Sequence, residues 1–185
     1  TIKDTTAIDT PSSKPCLKTT GGKVKIEGKN KSNIVVIAGD VISDQIDKIQ
    51  DADIGGSVTA TGGGIELQRA TVGGDVTTNS GNDASVKDST VCGTVIADGN
   101  AKIKNSSSVK SVDVTTDGKN AKIKNSSKVT KNISIQSDGE VKVKNKSTVS
   151  GDITAGSQTT VKVKNKSTVK GDIDAGTGST VTIKA

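Results

Sequence analysis

Two columns of lysine are the residues whose type and spacing point most directly to chemistry. Lys102, Lys122, Lys142 and Lys162 recur at a fixed interval, and Lys104, Lys124, Lys144 and Lys164 follow two positions behind them. Ammonium groups arrayed in this way form a stripe for a polyanion: an acidic polysaccharide, a negatively charged cell surface or a nucleic-acid backbone. The plainer reading is a solvated face whose lysines stop strands from associating sideways. The formal net charge of +6 agrees with either. Sequence-specific nucleic-acid contacts lean on arginine forks and on aromatic stacking platforms. The chain has one arginine, Arg69, and no Phe, Tyr or Trp, so no specific nucleic-acid partner is expected.

Asparagine, aspartate and cysteine are the other candidates. Asn-x-Ser sequons occur at Asn30, Asn105, Asn125, Asn132, Asn145 and Asn165. In a secreted chain these are acceptors for N-linked glycans. Recurrence at one place in a repeat favours a structural reading, in which amides stacked at a corner hydrogen-bond along the stack. Asp152 and Asp172 each follow a glycine and would form an outward acidic column that offsets the lysines. Carboxylates at identical places along a repeat make a lattice, whereas a glycosidase needs two facing one cleft. There is no His, and GGDVTT and GNDAS are only superficially like calcium-binding GGxGxD repeats. No metal, no cofactor and no enzymatic activity are therefore expected. The threonine columns of an ice-binding face are broken, since Thr148 and Thr168 align with Ser108 and Lys128. Cys16 and Cys92 are expected to pair with each other if the chain is secreted. A buried free thiol or a link between subunits stays open.

The elements that position these columns are legible from residue 101 onward. AKIKNSSSVKSVDVTTDGKN, AKIKNSSKVTKNISIQSDGE, VKVKNKSTVSGDITAGSQTT and VKVKNKSTVKGDIDAGTGST are successive twenty-residue units, and VTIKA begins another. A repeat of this length is the signature of a solenoid. Within a unit apolar and polar residues alternate, as Val161 and Val163 do around Lys162 and Ile173 and Ala175 around Asp174. That alternation is the period of a strand with one buried and one wet face. Asn165 and the Gly176 run supply the turns. One coil cannot bury its own apolar side, so the core forms only as coils stack. The fold expected is all-β: a β-solenoid of about eight coils of 17–20 residues, rising about 4.8 Å per coil and so about 40 Å long. The absence of aromatics suits its narrow interior.

Upstream the pattern loosens. Residues 1–22, with Pro11 and Pro15, read as an extended N-terminal arm, and 23–185 as the solenoid. Ile2, Ala7 and Ile8 are the apolar points by which the arm would bridge to a neighbouring subunit. Val24 and Ile26 match the first strand of the unit, and NIVVIAGDV is apolar enough for burial on both sides. ISDQIDKIQDADIGG leaves room for a short helical turn. IQDADIGGSVTA then aligns with LQRATVGGDVTT, setting Ile54 against Val72 and Val58 against Val76, and Ala84, Val86, Val91 and Val95 point inward in the next coil. No apolar run reaches the roughly 18 residues a membrane helix needs. The lack of Met suggests a processed, secreted chain.

The phrases STVSGDITAG (147–156) and STVKGDIDAG (167–176), with a fainter GGDVTT (73–78), resemble the G-x-V-x-G-D-I-x-A pattern of bactofilins. Bactofilins are bacterial β-solenoids that polymerise end to end without nucleotide. The resemblance is architectural, strongest over the last two units, and it implies a filament-forming rod. The residues suggest the same independently: the first strand (Val24, Ile26) and the last (Val181, Ile183) share the repeat pattern without a polar cap, and exposed edges template association. The function expected is a structural subunit of an extracellular filament, appendage or surface layer, built by head-to-tail self-association. The alternative is a monomeric adhesin or stalk that binds an anionic surface or polysaccharide through the lysine stripe.

Overall fold

The computed structural model describes residues 2–3, 7–8 and 17–184. They contain no helix, and every strand belongs to one parallel, stacked system, as the alternation requires. The chain winds as a β-solenoid of about eight turns. Each regular coil has three short strands, and each strand pairs with its counterpart one coil away. The first face stacks Ala84–Lys87, Ala101–Lys104, Asn120–Lys124, Glu140–Lys144 and Thr160–Lys164. The second runs through Ser108–Val114, Lys128–Val129, Thr148–Val149 and Thr168–Val169. The third carries Val58–Ala60, Val76–Thr78, Ile133–Ile135, Ile153–Ala155 and Ile173–Ala175.

Alternation places one side chain in two inside. Ala101, Ile103, Val109, Val112 and Val114 are fully or almost fully buried in one coil, and Val141, Val143, Val149 and Ile153 repeat the pattern two coils on. A buried Val or Ile contributes about 1.5–3 kcal/mol over an exposed one. The coil gains this only when its neighbour covers it, so the rod is cooperative along its axis. The expected alignments hold: Ile54 pairs with Val72 and Val58 with Val76, and Ala84, Val86, Val91 and Val95 are buried.

Three upstream expectations are corrected. NIVVIAGDV is not buried on both sides: Val35 and Ile37 are inside, but Val36 points out and is 40% exposed. No helical turn forms before Gly55, where Gln45–Ile54 is one long strand that bends across a corner at Asp51, a residue with φ of 47°. Its looser spacing reflects a register shift against Lys23–Glu27, between Val24 and Lys25. Finally, Val24 and Ile26 are not an open edge. Ile2–Lys3 pairs alongside Ile26 and Glu27, Ala7–Ile8 alongside Val36 and Ile37, and Leu17–Lys18 alongside Val41 and Ile42. Residues 1–22 thus lay three two-residue strands on the coil that follows, and Val24 and Ile26 are buried.

Candidate functional site

The corner after the first face carries a regular array of polar groups. In the regular coils two consecutive residues take the left-handed conformation there: Asn105 and Ser106 (φ 57° and 57°), Asn125 and Ser126, Asn145 and Lys146, Asn165 and Lys166. Asparagine tolerates this conformation better than most residues. The four asparagines form the expected ladder: Asn125 Nδ2 donates to Asn105 Oδ1 at 3.1 Å, Asn145 to Asn125 at 2.9 Å and Asn165 to Asn145 at 2.9 Å. The ladder runs along the outside of the corner and floors an open groove of about 640 Å³, with Lys146 and Lys166 also lining it.

Beneath the asparagines lies a column that sequence reasoning missed. Ser107, Ser127 and Ser147, the third residues of their sequons, are buried. Their hydroxyls donate to the carbonyls of Lys104, Lys124 and Lys144 at 2.6–2.8 Å, which closes the corner. The Ser147 hydroxyl also accepts from the Ser127 N–H at 3.3 Å, and that of Ser167 from the Ser147 N–H at 3.1 Å. The remaining sequons sit elsewhere: the Asn30 side chain caps a turn by accepting from the N–H of Ser32 and Asn33, and Asn132 Oδ1 accepts from the Asp152 N–H.

The lysine columns stack on the first face beside the groove. Lys102, Lys122, Lys142 and Lys162 pair in register, as do Lys124, Lys144 and Lys164. The two columns are electrostatically different. In the first, Lys102 meets Asp83 at 2.6 Å, while Glu140 bridges Lys142 and Lys162. Burial disfavours the Glu140 anion, yet hydrogen bonds from Lys142 and Lys162 hold its carboxyl below the usual range. In the second, Lys104, Lys124, Lys144 and Lys164 make no ion pair among the described residues. Burial, with the charges of Lys144, Lys122, Lys142 and Lys104 around it, pulls the Lys124 ammonium below its ordinary pKa.

In the earlier coils the same corner is charged and one residue shorter. Asp51, Arg69 and Asp88 are its left-handed residues, with φ of 47°, 51° and 49°. Arg69 donates a fork to the Asp51 carboxylate, Nε to Oδ1 and Nη2 to Oδ2, both at 2.7 Å. The Asp51 side chain is fully buried, whereas that of Arg69 is 29% exposed. The hydrogen bond from Arg69 holds the Asp51 carboxyl below the usual range against the opposing effect of burial.

The Gly-Asp motif builds the corner before the third face. Asn132 Oδ1 accepts from the Asp152 N–H at 3.0 Å, and Asp152 Oδ1 accepts from the Asp172 N–H at 2.9 Å. Asp40 Oδ1 does the same for Ser57, and Asp75 Oδ1 for Thr94, at 2.7 Å each. The preceding glycine is required because the accepting oxygen occupies the place of a Cβ at Gly56, Gly93, Gly151 and Gly171. Asp152 is thus a backbone latch between coils rather than an acid set against the lysines.

At the C-terminal end of the described coils the core lies open. Val149 and Ile153 are completely buried, but their successors Val169 and Ile173 are only half-buried. Val181 is 45% and Ile183 67% exposed. Val163, Val169, Ile173 and Ile183 surround a cleft of about 450 Å³, lined also by Ser167, Thr168, Gly171 and Asp172. Thr180–Ile183 pairs with Thr160–Lys164 on one side and with no strand on the other among the described residues.

Cys16 lies outside the described residues. Cys92 is a free, exposed thiol next to Gly93, and the Cys16–Cys92 pairing lies outside the described residues with Cys16. No group of three or more His, Cys, Asp or Glu side chains that could hold a metal occurs among the described residues, and no helix among them is long and apolar enough to cross a membrane. No protein-family model matches the chain, and no curated protein or solved structure was found that matches it.

Proposed function

We propose that the chain is a structural rod, the subunit of a filament or surface appendage that grows by end-to-end stacking. The observation that carries this reading is the stacking itself: near-identical coils pair strand on strand in parallel register as far as Thr180–Ile183, which has no further strand beside it among the described residues. Unpaired N–H and C=O groups beside apolar surface template the addition of another strand. A second copy offers a matching partner, because its first described strands, Ile2–Lys3, Ala7–Ile8 and Leu17–Lys18, follow the same three-sided course. In this arrangement the N-terminal segment still bridges to a neighbour, by supplying the strands that meet it. Contacts of this head-to-tail kind do not close on themselves and propagate as a fibre. The bactofilin-like Gly-Asp repeat agrees with such a rod, and extracellular placement is part of the proposal.

Charging the edge tests it. Val181→Lys with Ile183→Lys puts ammonium groups on the exposed strand while leaving the coils behind it intact. Sedimentation velocity is expected to show large, concentration-dependent species for the unaltered chain and only single rods for the double variant. Equal assembly of both would overturn end-to-end stacking at this edge.

A further inference from the structure

We infer that the asparagine corner is a binding groove for a linear acidic polysaccharide that lies along the solenoid axis, one sugar residue to each coil. This proposal stands apart from end-to-end stacking and rests on the groove alone.

The groove is long, regular and open, which suits an extended polymer better than a compact ligand. Asn125 and Asn145 each use one N–H and their oxygen along the stack, Asn165 only an N–H and Asn105 only its oxygen. An amide carries two N–H donors, so each rung retains at least one that the ladder does not use. Such donors match the hydroxyl, ring and carboxylate oxygens of a sugar chain. The charge is placed to match as well. Lys104, Lys124, Lys144 and Lys164 each immediately precede a ladder asparagine and have no ion-pair partner among the described residues. Lys146 and Lys166 add ammonium groups in the groove itself, and no carboxylate lines it. The acids that neutralise this face, Asp83 and Glu140, serve the other lysine column. A carboxylate beside Lys124 would relieve the crowding of like charges around it.

Spacing favours a polysaccharide over nucleic acid. Stacked strands repeat at about 4.8 Å, close to the length of one 1,4-linked hexopyranose. A uronate chain carries a carboxylate on every residue, so its charges can keep step with the lysines from coil to coil. A B-form strand advances about 3.4 Å per phosphate and falls out of step within a few coils. The groove also lacks the aromatic side chains on which single-stranded bases stack.

The test is titration calorimetry of the full chain at low ionic strength with three probes: linear polygalacturonate, its fully methyl-esterified neutral form, and single-stranded DNA of matched charge. Polygalacturonate is expected to bind, the ester not to bind, and DNA to bind at least about tenfold more weakly. Lys124→Gln with Lys144→Gln should weaken polygalacturonate binding about tenfold. Asn125→Gly with Asn145→Gly preserves the left-handed corner and removes the amides. It should cost about threefold and leave the salt dependence unchanged. Absence of polygalacturonate binding, or DNA binding as tight as the polyuronate, overturns the proposal. So does indifference to either pair of substitutions. If the glycine pair unfolds the corner, seen as lost β-sheet circular dichroism, the lysine pair and the DNA comparison still decide.

Discussion

Gly151→Ala is expected to lower the unfolding free energy by about 2–4 kcal/mol, from overpacking together with the loss of a hydrogen bond. A Cβ at this position would collide with Asn132 Oδ1 and come within 2.8 Å of the Lys131 carbonyl carbon and 2.9 Å of its oxygen. The amide oxygen cannot yield without releasing the Asp152 N–H that it accepts. The backbone cannot yield either, because the Gly151 N–H is bonded to the Lys131 carbonyl at 3.1 Å. The damage therefore falls on the contact between two coils, the interaction from which a solenoid draws its stability. Gly22→Ala is the control: its Cβ would meet nothing within 4 Å, and its effect should stay within about 0.5 kcal/mol. Urea unfolding followed by circular dichroism compares the two, and equal midpoints would show that the Gly-Asp corner is not under this constraint.

Arg69→Ala should destabilise the chain by about 2–3 kcal/mol at neutral pH, less than for a fully buried pair because Arg69 is partly exposed. The substitution strands a buried carboxylate, and the pH dependence identifies the cause. In the unaltered chain the folded-state pKa of Asp51 lies below its unfolded value, held there by the Arg69 fork. That stabilisation is complete above the unfolded pKa, about 3.9, and is lost as pH falls through the folded pKa. Without Arg69 the largest lowering influence is gone and burial is opposed only by the Gln50 amide and the charge of Lys31, so the Asp51 pKa rises relative to the parent and less stability is lost on protonation. The gap between variant and parent should be widest above about pH 5 and shrink towards pH 3. A gap independent of pH would assign the loss to the packing of the Arg69 stem instead.

The solenoid was readable from residue 101 onward because the inward and corner residues return at a fixed twenty-residue spacing. Ala101, Ile103 and Asn105 therefore predicted their own stacking partners, and the asparagine ladder followed from one column of letters. The serines behind the ladder were hidden by their position in sequons: Ser107, Ser127 and Ser147 read as surface acceptor motifs, yet they are buried corner clasps. The Gly-Asp motif was visible, but a carboxylate bonded to the next coil's backbone looks, in sequence, like a carboxylate in water. Upstream, the corner at Asp51 and Arg69 has one left-handed residue where later coils have two, so the coils are shorter and the register less obvious. The N-terminal strands could not be read because two-residue pairings such as Ile2–Lys3 and Leu17–Lys18 are too short to alternate. Only the strand beneath them makes them strands.

Negative-stain electron microscopy of the purified chain over a range of concentrations tests the central claim most directly. End-to-end stacking predicts unbranched fibres of uniform width that lengthen with concentration, with an axial repeat of about 40 Å or somewhat more, set by the number of coils and their rise. Isolated short rods at every concentration would contradict it.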